Sequence, residues 1–226
     1  MTMRWLDRQW IEYENINYDQ FNIKGGQKYC AFEASIPGDF SSATFFAVLS
    51  AISGNSIKMN NLDINDTQGD KRVIDILEDM GATVIRDNDY ITIEGGELEG
   101  RNIDMNDIPD ALPAMAVAGC FAKGETRLFN VPQARLKETD RISVMCNELT
   151  KLGADISEIS DGLIIKKSTL RGNKVCGMGD HRVVMALTIA GLNIQGDTVI
   201  DTAECAEVTF PGFFDIIRNL GGKLEE

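Results

Sequence analysis

Residues 107–118 read Asp-Ile-Pro-Asp-Ala-Leu-Pro-Ala-Met-Ala-Val-Ala, and this stretch gives the clearest indication of the fold. After Asp110 the side chains are small and apolar, with no charge on any face of a helix. A helix that is apolar all round has to be buried. Similar stretches follow Asp39 and Asp180, so the three aspartates stand 71 and 70 positions apart. An internal repeat of about 70 residues is therefore predicted.

Each buried stretch runs to a glycine, and a short strand and an amphipathic second helix are expected after it. The glycines are Gly54, Gly124 and Gly196, and the strands are predicted at 56–59, 126–129 and 198–200. The second helices are predicted at 73–80, 142–152 and 213–220, each ending at a glycine, as helix C-termini commonly do. Alternating strands are expected after two of them, at 90–93 and 163–165. The pattern predicts an α/β domain of three βαβαββ-type repeats with pseudo-threefold symmetry, spanning residues 36–226.

The first 35 residues resemble the end of one more repeat. Trp10 stands 71 positions before Gly81, where a helix-ending glycine is expected, and residues 21–24 resemble the strand that follows. We predict that residues 1–35 are the tail of a preceding domain whose first helix is missing. An N-terminal extension with no counterpart in the repeats is the alternative.

Composition excludes several classes of protein. The hydrophobic fraction of 43% and the charged fraction of 25% are typical of a globular domain, and no apolar run reaches the length of a membrane span. The net charge of −13 disfavours a nucleic-acid partner. Five scattered cysteines and one histidine disfavour a zinc site or a disulfide framework. With no apolar export signal, these features predict a cytoplasmic protein.

Two charged clusters lie at predicted helix starts. Residues 135–141 read Arg-Leu-Lys-Glu-Thr-Asp-Arg, and residues 179–182 read Gly-Asp-His-Arg. The first cluster could be a solvated, capped helix start. The second is harder to explain that way, because unpaired charge at a buried helix is costly. Helix N-termini attract anions, so three such ends facing one way, beside Arg141 and Arg182, predict an anion-binding face. Arginine suits both phosphate and carboxylate.

These motifs resemble the signatures of the 5-enolpyruvylshikimate-3-phosphate synthases. The resemblance rests on residues 136–141 and 179–182, on Ile-Pro-Asp-Ala at 108–111, on Gly-Asp-Phe-Ser-Ser-Ala at 38–43 and on Phe-Pro-Gly-Phe-Phe at 210–214. The motifs keep the family's order and spacing over nearly the whole chain. The family fold has two similar domains that close over a cleft, so the resemblance implies that this chain is the C-terminal domain.

The resemblance implies a reaction and roles for four residues. Phosphoenolpyruvate would transfer its enolpyruvyl group to the 5-hydroxyl of shikimate 3-phosphate and release phosphate, a step in aromatic amino acid biosynthesis. Asp110 would accept the hydroxyl proton and hold the shikimate ring. Glu138 would handle the proton at C3, while Arg141 and Arg182 would bind phosphoenolpyruvate. Metal ions and organic cofactors are not implied.

Other positions match the family less closely. Gln133 and Lys137 would contact shikimate 3-phosphate, although Asn is common at the position of Gln133. Asp180 and His181 would orient the site. Val208 stands where many relatives carry a lysine, which puts that lysine's role in doubt. The remaining ligands of the family lie on the other domain, so the chain alone is expected to be inactive.

Two further interpretations stay open. The enzyme that transfers enolpyruvate to UDP-N-acetylglucosamine shares the family fold, but residues 137–141 and 180–182 favour the shikimate enzyme. The chain could also be a non-catalytic half-domain that binds an anion.

Overall fold

The computed structural model describes residues 1–88 and 90–225, which form an α/β fold. Its helices are α1 (Thr2–Arg8), α2 (Phe40–Ser53), α3 (Arg72–Met80), α4 (Leu112–Phe121), α5 (Arg141–Lys151), α6 (His181–Gly191), α7 (Ala206–Thr209) and α8 (Phe213–Asn219). Its strands are β1 (Tyr13–Ile16), β2 (Gln20–Ile23), β3 (Ser56–Asn60), β4 (Thr83–Arg86), β5 (Tyr90–Glu94), β6 (Asn102–Asp104), β7 (Glu125–Phe129), β8 (Asp155–Ile159), β9 (Gly162–Lys166), β10 (Lys174–Cys176) and β11 (Val199–Asp201). Short 3₁₀ turns occur at Gly69–Lys71, Pro109–Ala111, Pro132–Leu136 and Ala203–Cys205.

The inner layer consists of α2, α4 and α6, which pack against one another. Residues 112–120 of α4 are all buried, which confirms the helix predicted from its apolar sequence. Phe45, Met115 and Leu187 are 0% exposed. Each such side chain stabilises the fold by roughly 1.5–3 kcal/mol relative to exposure. The core therefore lies between these three helices and the sheets behind them.

The outer helices α3, α5 and α8 are half-buried, as their amphipathic patterns predicted. Each starts and ends within one residue of its predicted bounds. A glycine in the left-handed backbone conformation follows each of them: Gly81, Gly153 and Gly221. Glycine adopts this conformation without a Cβ penalty and so ends a helix readily. None of the helices within the described residues is long and apolar enough to cross a membrane.

Two larger sheets back the inner helices. One has the order β6-β7-β9-β8, with β6 and β7 parallel and the other pairs antiparallel. The other has the order β3-β5-β4, antiparallel throughout. A parallel pair, β10-β11, follows near the C-terminal end. The sequence analysis did not locate β1, β4, β6, β8 and β10, which lie outside the segments that it marked as strands.

The N-terminal segment forms α1 and the antiparallel hairpin β1-β2. Trp10 has φ of +57° at the predicted helix-ending position, and β2 covers the predicted strand to within one residue. All four residues of β2 are exposed, and α1 has no buried residue. Ten of the 17 large exposed hydrophobic side chains of the described chain lie within residues 1–36. This segment thus carries an apolar surface that the rest of the chain does not cover.

Candidate active site

The site lies where the inner helices α4 and α6 and the outer helix α5 begin. Asp180 is the N-cap of α6 and accepts from the backbone N–H of Arg182 at 2.9 Å. Asp140 caps α5 in the same way, accepting from Ser143 at 3.0 Å. Asp110 differs, because it lies in the 3₁₀ turn Pro109–Ala111 and makes no cap bond there. Its carboxylate is therefore available for contacts with other segments.

Arg141 joins three of the predicted residues in one ion cluster. Its side chain is 1% exposed. Nε donates to Oδ2 of Asp180 at 2.8 Å, and Nη2 donates to Oδ1 of Asp180 at 3.2 Å. Nη1 donates to Oδ1 of Asp110 at 2.8 Å, and Nη2 donates to Oε2 of Glu138 at 2.7 Å. A buried guanidinium needs such partners, because an unpaired buried charge is strongly destabilising.

Two further cations converge on Asp110. Nζ of Lys137 lies 3.2 Å from Oδ1, and Nη2 of Arg182 lies 3.5 Å from Oδ2. The side chains of Lys137 and Arg182 are 32% and 16% exposed. These two cations reach solvent, whereas Arg141 does not, so they are the open positive charges of the site.

The cluster holds its carboxylates in the ionised form. Burial raises the pKa of Asp110, but the positive charges of Arg182, Lys137 and Arg141 outweigh it and leave this pKa below its usual value. Burial acts on Asp180 in the same direction, and the hydrogen bond and charge of Arg141 bring its pKa below the usual value. Both groups are therefore anionic at neutral pH.

His181 begins α6, and its side chain is 13% exposed. Its Nδ1 lies 4.0 Å from Oδ1 of Asp180. Burial, and then the charge of Arg182, lower the pKa of His181 below its usual value despite the nearby Asp180. The imidazole is therefore neutral at pH 7. It lies beside the ion cluster and adds no charge to it.

The charged residues at 135–141 divide between two networks. Arg135 donates to Asp140 at 2.8 Å and Glu158 at 3.0 Å, so it belongs to a helix-start network away from Asp110. Lys137 and Glu138, by contrast, contact the ion cluster. The interpretation of residues 135–141 as a merely solvated helix start thus suits only part of the motif.

Gln133 and Val208 lie outside the ion cluster. Nε2 of Gln133 donates to the backbone carbonyl of Asn106 at 3.1 Å, in the loop that precedes Asp110. Gln133 thus borders the site but does not join the cluster. Val208 lies on α7 and is 79% exposed. It offers no positive charge at the position where the resemblance implies a lysine.

Asp70 is a site residue that the sequence did not indicate. It lies in the 3₁₀ turn Gly69–Lys71, and a Cβ on Gly69 would meet the carbonyl of Asp107 at 2.8 Å. Burial and the negative charge of Asp110 raise the pKa of Asp70, while Arg182 and Ser41 counteract this. The residue is 40 positions from Asp110, so only the packing of this turn on the loop before Asp110 reveals the proximity.

The fold and the site together define an α/β domain with a cluster of paired charges at the starts of its inner helices. The sequence model for EPSP synthase (3-phosphoshikimate 1-carboxyvinyltransferase) matches residues 1–217. The chain belongs to the EPSP synthase family.

Similar proteins carry the same family description and are about twice as long. The chain is 62% identical over 225 residues to the 3-phosphoshikimate 1-carboxyvinyltransferase of Ruminiclostridium cellulolyticum, covering 100% of this chain and 53% of that protein. It is 42% identical over 207 residues to the enzyme of that name from Methanocaldococcus jannaschii, covering 91% and 48%. The solved EPSP synthase of Acinetobacter baumannii superimposes with a TM-score of 0.85 at 30% identity, covering 98% and 54%. The chain thus spans about half the length of these relatives.

Proposed function

We propose that this chain is the C-terminal half of a 3-phosphoshikimate 1-carboxyvinyltransferase and forms one wall of its active site. The observation that carries the proposal is the cluster in which Arg141 joins Asp110, Glu138 and Asp180. These residues come from motifs that resemble the family's signatures. A structural domain of the same fold would not need all of them at one point.

In the proposed reaction Asp110 and Glu138 move protons. The 5-hydroxyl of shikimate 3-phosphate attacks C2 of phosphoenolpyruvate as Asp110 accepts the hydroxyl proton and C3 is protonated. Glu138 donates the proton to C3 in this addition. The C2–O bond to phosphate then breaks, phosphate leaves, and Glu138 takes a proton back from C3 as the double bond forms again. A base has to be ionised before it can accept a proton, and the lowered pKa of Asp110 supplies that form at neutral pH.

The cations would bind the two substrates. Arg141 and Arg182 would hold phosphoenolpyruvate, because the guanidinium fork suits carboxylate and phosphate. Lys137 would contact shikimate 3-phosphate, and Gln133 borders the same region through its bond to the Asn106 carbonyl. Asp180 would orient Arg141, since it is 0% exposed and bonds both Nε and Nη2.

The domain division and the repeats are part of the same proposal. Residues 1–35 would complete a preceding domain, which agrees with the uncovered apolar surface of that segment. Residues 36–226 would be three repeats related by approximate threefold symmetry, which agrees with the mutual packing of α2, α4 and α6. A cytoplasmic location rests only on the sequence.

A non-catalytic anion-binding half-domain is the second candidate. The exposed Val208 favours it, because a lysine at that position would add a cation for phosphate. The cancelled charges of the cluster speak against this candidate, because a phosphate group would require cations from elsewhere.

Phosphate release from phosphoenolpyruvate plus shikimate 3-phosphate tests the proposal. We expect no release with this chain alone, and release when it is mixed with a separately produced N-terminal half from a related enzyme. A site that forms when two domains close on their substrates is incomplete if only one domain is present. Release by the chain alone would contradict the half-site. No release from a mixture shown by light scattering to form a complex would favour the non-catalytic half-domain.

A further inference from the structure

Glu138 is the most exposed of the three carboxylates that bind Arg141. The Arg141 side chain is 1% exposed and Asp180 is 0% exposed, whereas Glu138 is 50% exposed. Glu138 accepts one bond, from Nη2, whereas Asp180 accepts from both Nε and Nη2. Asp110 is also bound to Lys137 and lies near Arg182. Glu138 is therefore the partner of Arg141 that can leave with the least disruption.

The backbone around Glu138 allows such a movement. Residues 137–140 lie between the 3₁₀ turn Pro132–Leu136 and the start of α5, outside any helix or strand. Rotation of the Glu138 side chain therefore breaks no helical hydrogen bond. By contrast, Asp180 is fixed as the N-cap of α6.

The charges of the cluster already cancel before a ligand enters. Three cations face three carboxylates: Lys137, Arg141 and Arg182 against Asp110, Glu138 and Asp180. The nearby Asp70 can only add negative potential. If an anion entered while these residues kept their positions, the partly buried site would carry excess negative charge, which is costly.

We infer that the carboxylate of Glu138 occupies the position on Nη2 of Arg141 that the carboxylate of the ligand takes. The ligand replaces one carboxylate by another, so the charge balance around Arg141 is kept. The inference rests on the proposed function, because it takes phosphoenolpyruvate as the ligand.

A carboxylate, and not a phosphate, is the group that fits this exchange. Glu138 contributes a single negative charge and accepts one bond from a planar guanidinium. A planar carboxylate reproduces both features, whereas a phosphate dianion would bring one charge too many. The phosphate of the ligand would then lie away from Nη2.

Calorimetric titration of the isolated chain with phosphoenolpyruvate and with inorganic phosphate tests the exchange. Glu138→Ala removes the internal competitor, so we expect it to bind phosphoenolpyruvate about tenfold tighter than the unmodified chain. Its affinity for inorganic phosphate should change by less than about twofold, which is less than the contribution of one hydrogen bond. Glu138→Gln should show a smaller gain, because its amide oxygen can still accept from Nη2.

Glu158→Ala is the matched control, because Glu158 is 44% exposed and pairs with Arg135 away from the cluster. It removes the same charge and should leave both affinities unchanged. Thermal melts of all variants verify folding. Equal or weaker binding of phosphoenolpyruvate by Glu138→Ala, including no binding at all, would overturn the inference. An equal gain for phosphate would also overturn it, as a general charge effect. The mixing assay judges the proposed function separately, because it reports turnover by the assembled halves.

Discussion

Arg141 shows how one side chain can organise a site. It is 1% exposed, and its guanidinium bonds carboxylates from the starts of three different segments. Arg135, six positions earlier, is an arginine of the same motif, but its partners lie at the surface. The difference is burial: pairing matters most for a charge that has lost its water.

Asp180→Ala is expected to lower the free energy of unfolding by about 3–5 kcal/mol, because it removes a fully buried partner of Arg141. The same change removes the N-cap of α6. Urea denaturation at pH 7 measures the loss. Since the folded-state pKa of Asp180 is lowered, its contribution is present above the unfolded pKa and is lost as the pH falls through the folded one. The difference between variant and unmodified chain should therefore shrink in acid.

Asp215→Ala provides the comparison, because the Asp215 side chain is 75% exposed. It should cost less than about 1 kcal/mol, as exposed ion pairs do. Equal losses for the two variants would contradict the importance of the buried pair.

The starts of the inner helices are stabilised in different ways. Asp39 caps α2 by accepting from Ser41 and Ser42, and Asp180 caps α6. Asp110 precedes α4 without capping it, because the turn that begins at Pro109 separates the two. The same residue type at corresponding positions thus caps α2 and α6, whereas before α4 it contacts Lys137 and Arg141 instead.

Gln68 fastens the start of α2. Its Oε1 accepts from the backbone N–H of Phe40 at 2.8 Å, and its Nε2 donates to the carbonyl of Gly38 at 2.9 Å. The first N–H groups of a helix have no partner within the helix. Gln68→Ala is therefore expected to lower the free energy of unfolding by about 1–3 kcal/mol. Thermal and urea denaturation measure this.

Gln195→Ala is the control for Gln68→Ala, because Gln195 is exposed. It should change the free energy of unfolding by less than about 0.5 kcal/mol, as most surface substitutions do. If the two variants were equally stable, the hydrogen bonds of Gln68 at the start of α2 would not contribute to stability.

The chain as a whole consists of a well-packed body and a loosely attached N-terminal segment. Arg4 reaches the body through Asp66 at 3.0 Å and Asp63 at 3.5 Å, but α1 has no buried residue. Such a large exposed apolar surface is typical of an interface. Together with the doubled length of the relatives, it supports a role in contact with another half.

Deletion of residues 1–35 is expected to leave a cooperatively folded domain whose melting temperature falls by no more than about 5 °C. It should also reduce binding of an apolar dye and abolish phosphate release in the mixture of halves. Deletion of residues 206–226 is the contrasting control, because it removes Phe213 and Ile217 from the core, where they are 0% and 1% exposed. That chain should not fold. An unfolded product from the first deletion would contradict the domain division.

The sequence by itself determined the inner and outer helices, six of the described strands and the candidate residues. Periodicity, capping residues and helix-ending glycines act between near neighbours in the chain, so residues 112–120 read as a buried helix without any tertiary information. The family motifs identified Asp110, Glu138, Arg141 and Arg182 as candidates. The sequence did not show which of these residues contact one another or which of them are buried.

Only the tertiary structure decided the geometry of the site. Arg141 meets Asp110 and Asp180 across 31 and 39 positions of chain, so their contact depends on how the starts of α4, α5 and α6 pack. The same packing brings Asp70 to the site, although no motif marks it, and leaves Gln133 beside the cluster and outside it. The physical reason is that burial and charge pairing depend on distances in space, whereas capping and periodicity depend on distances along the chain.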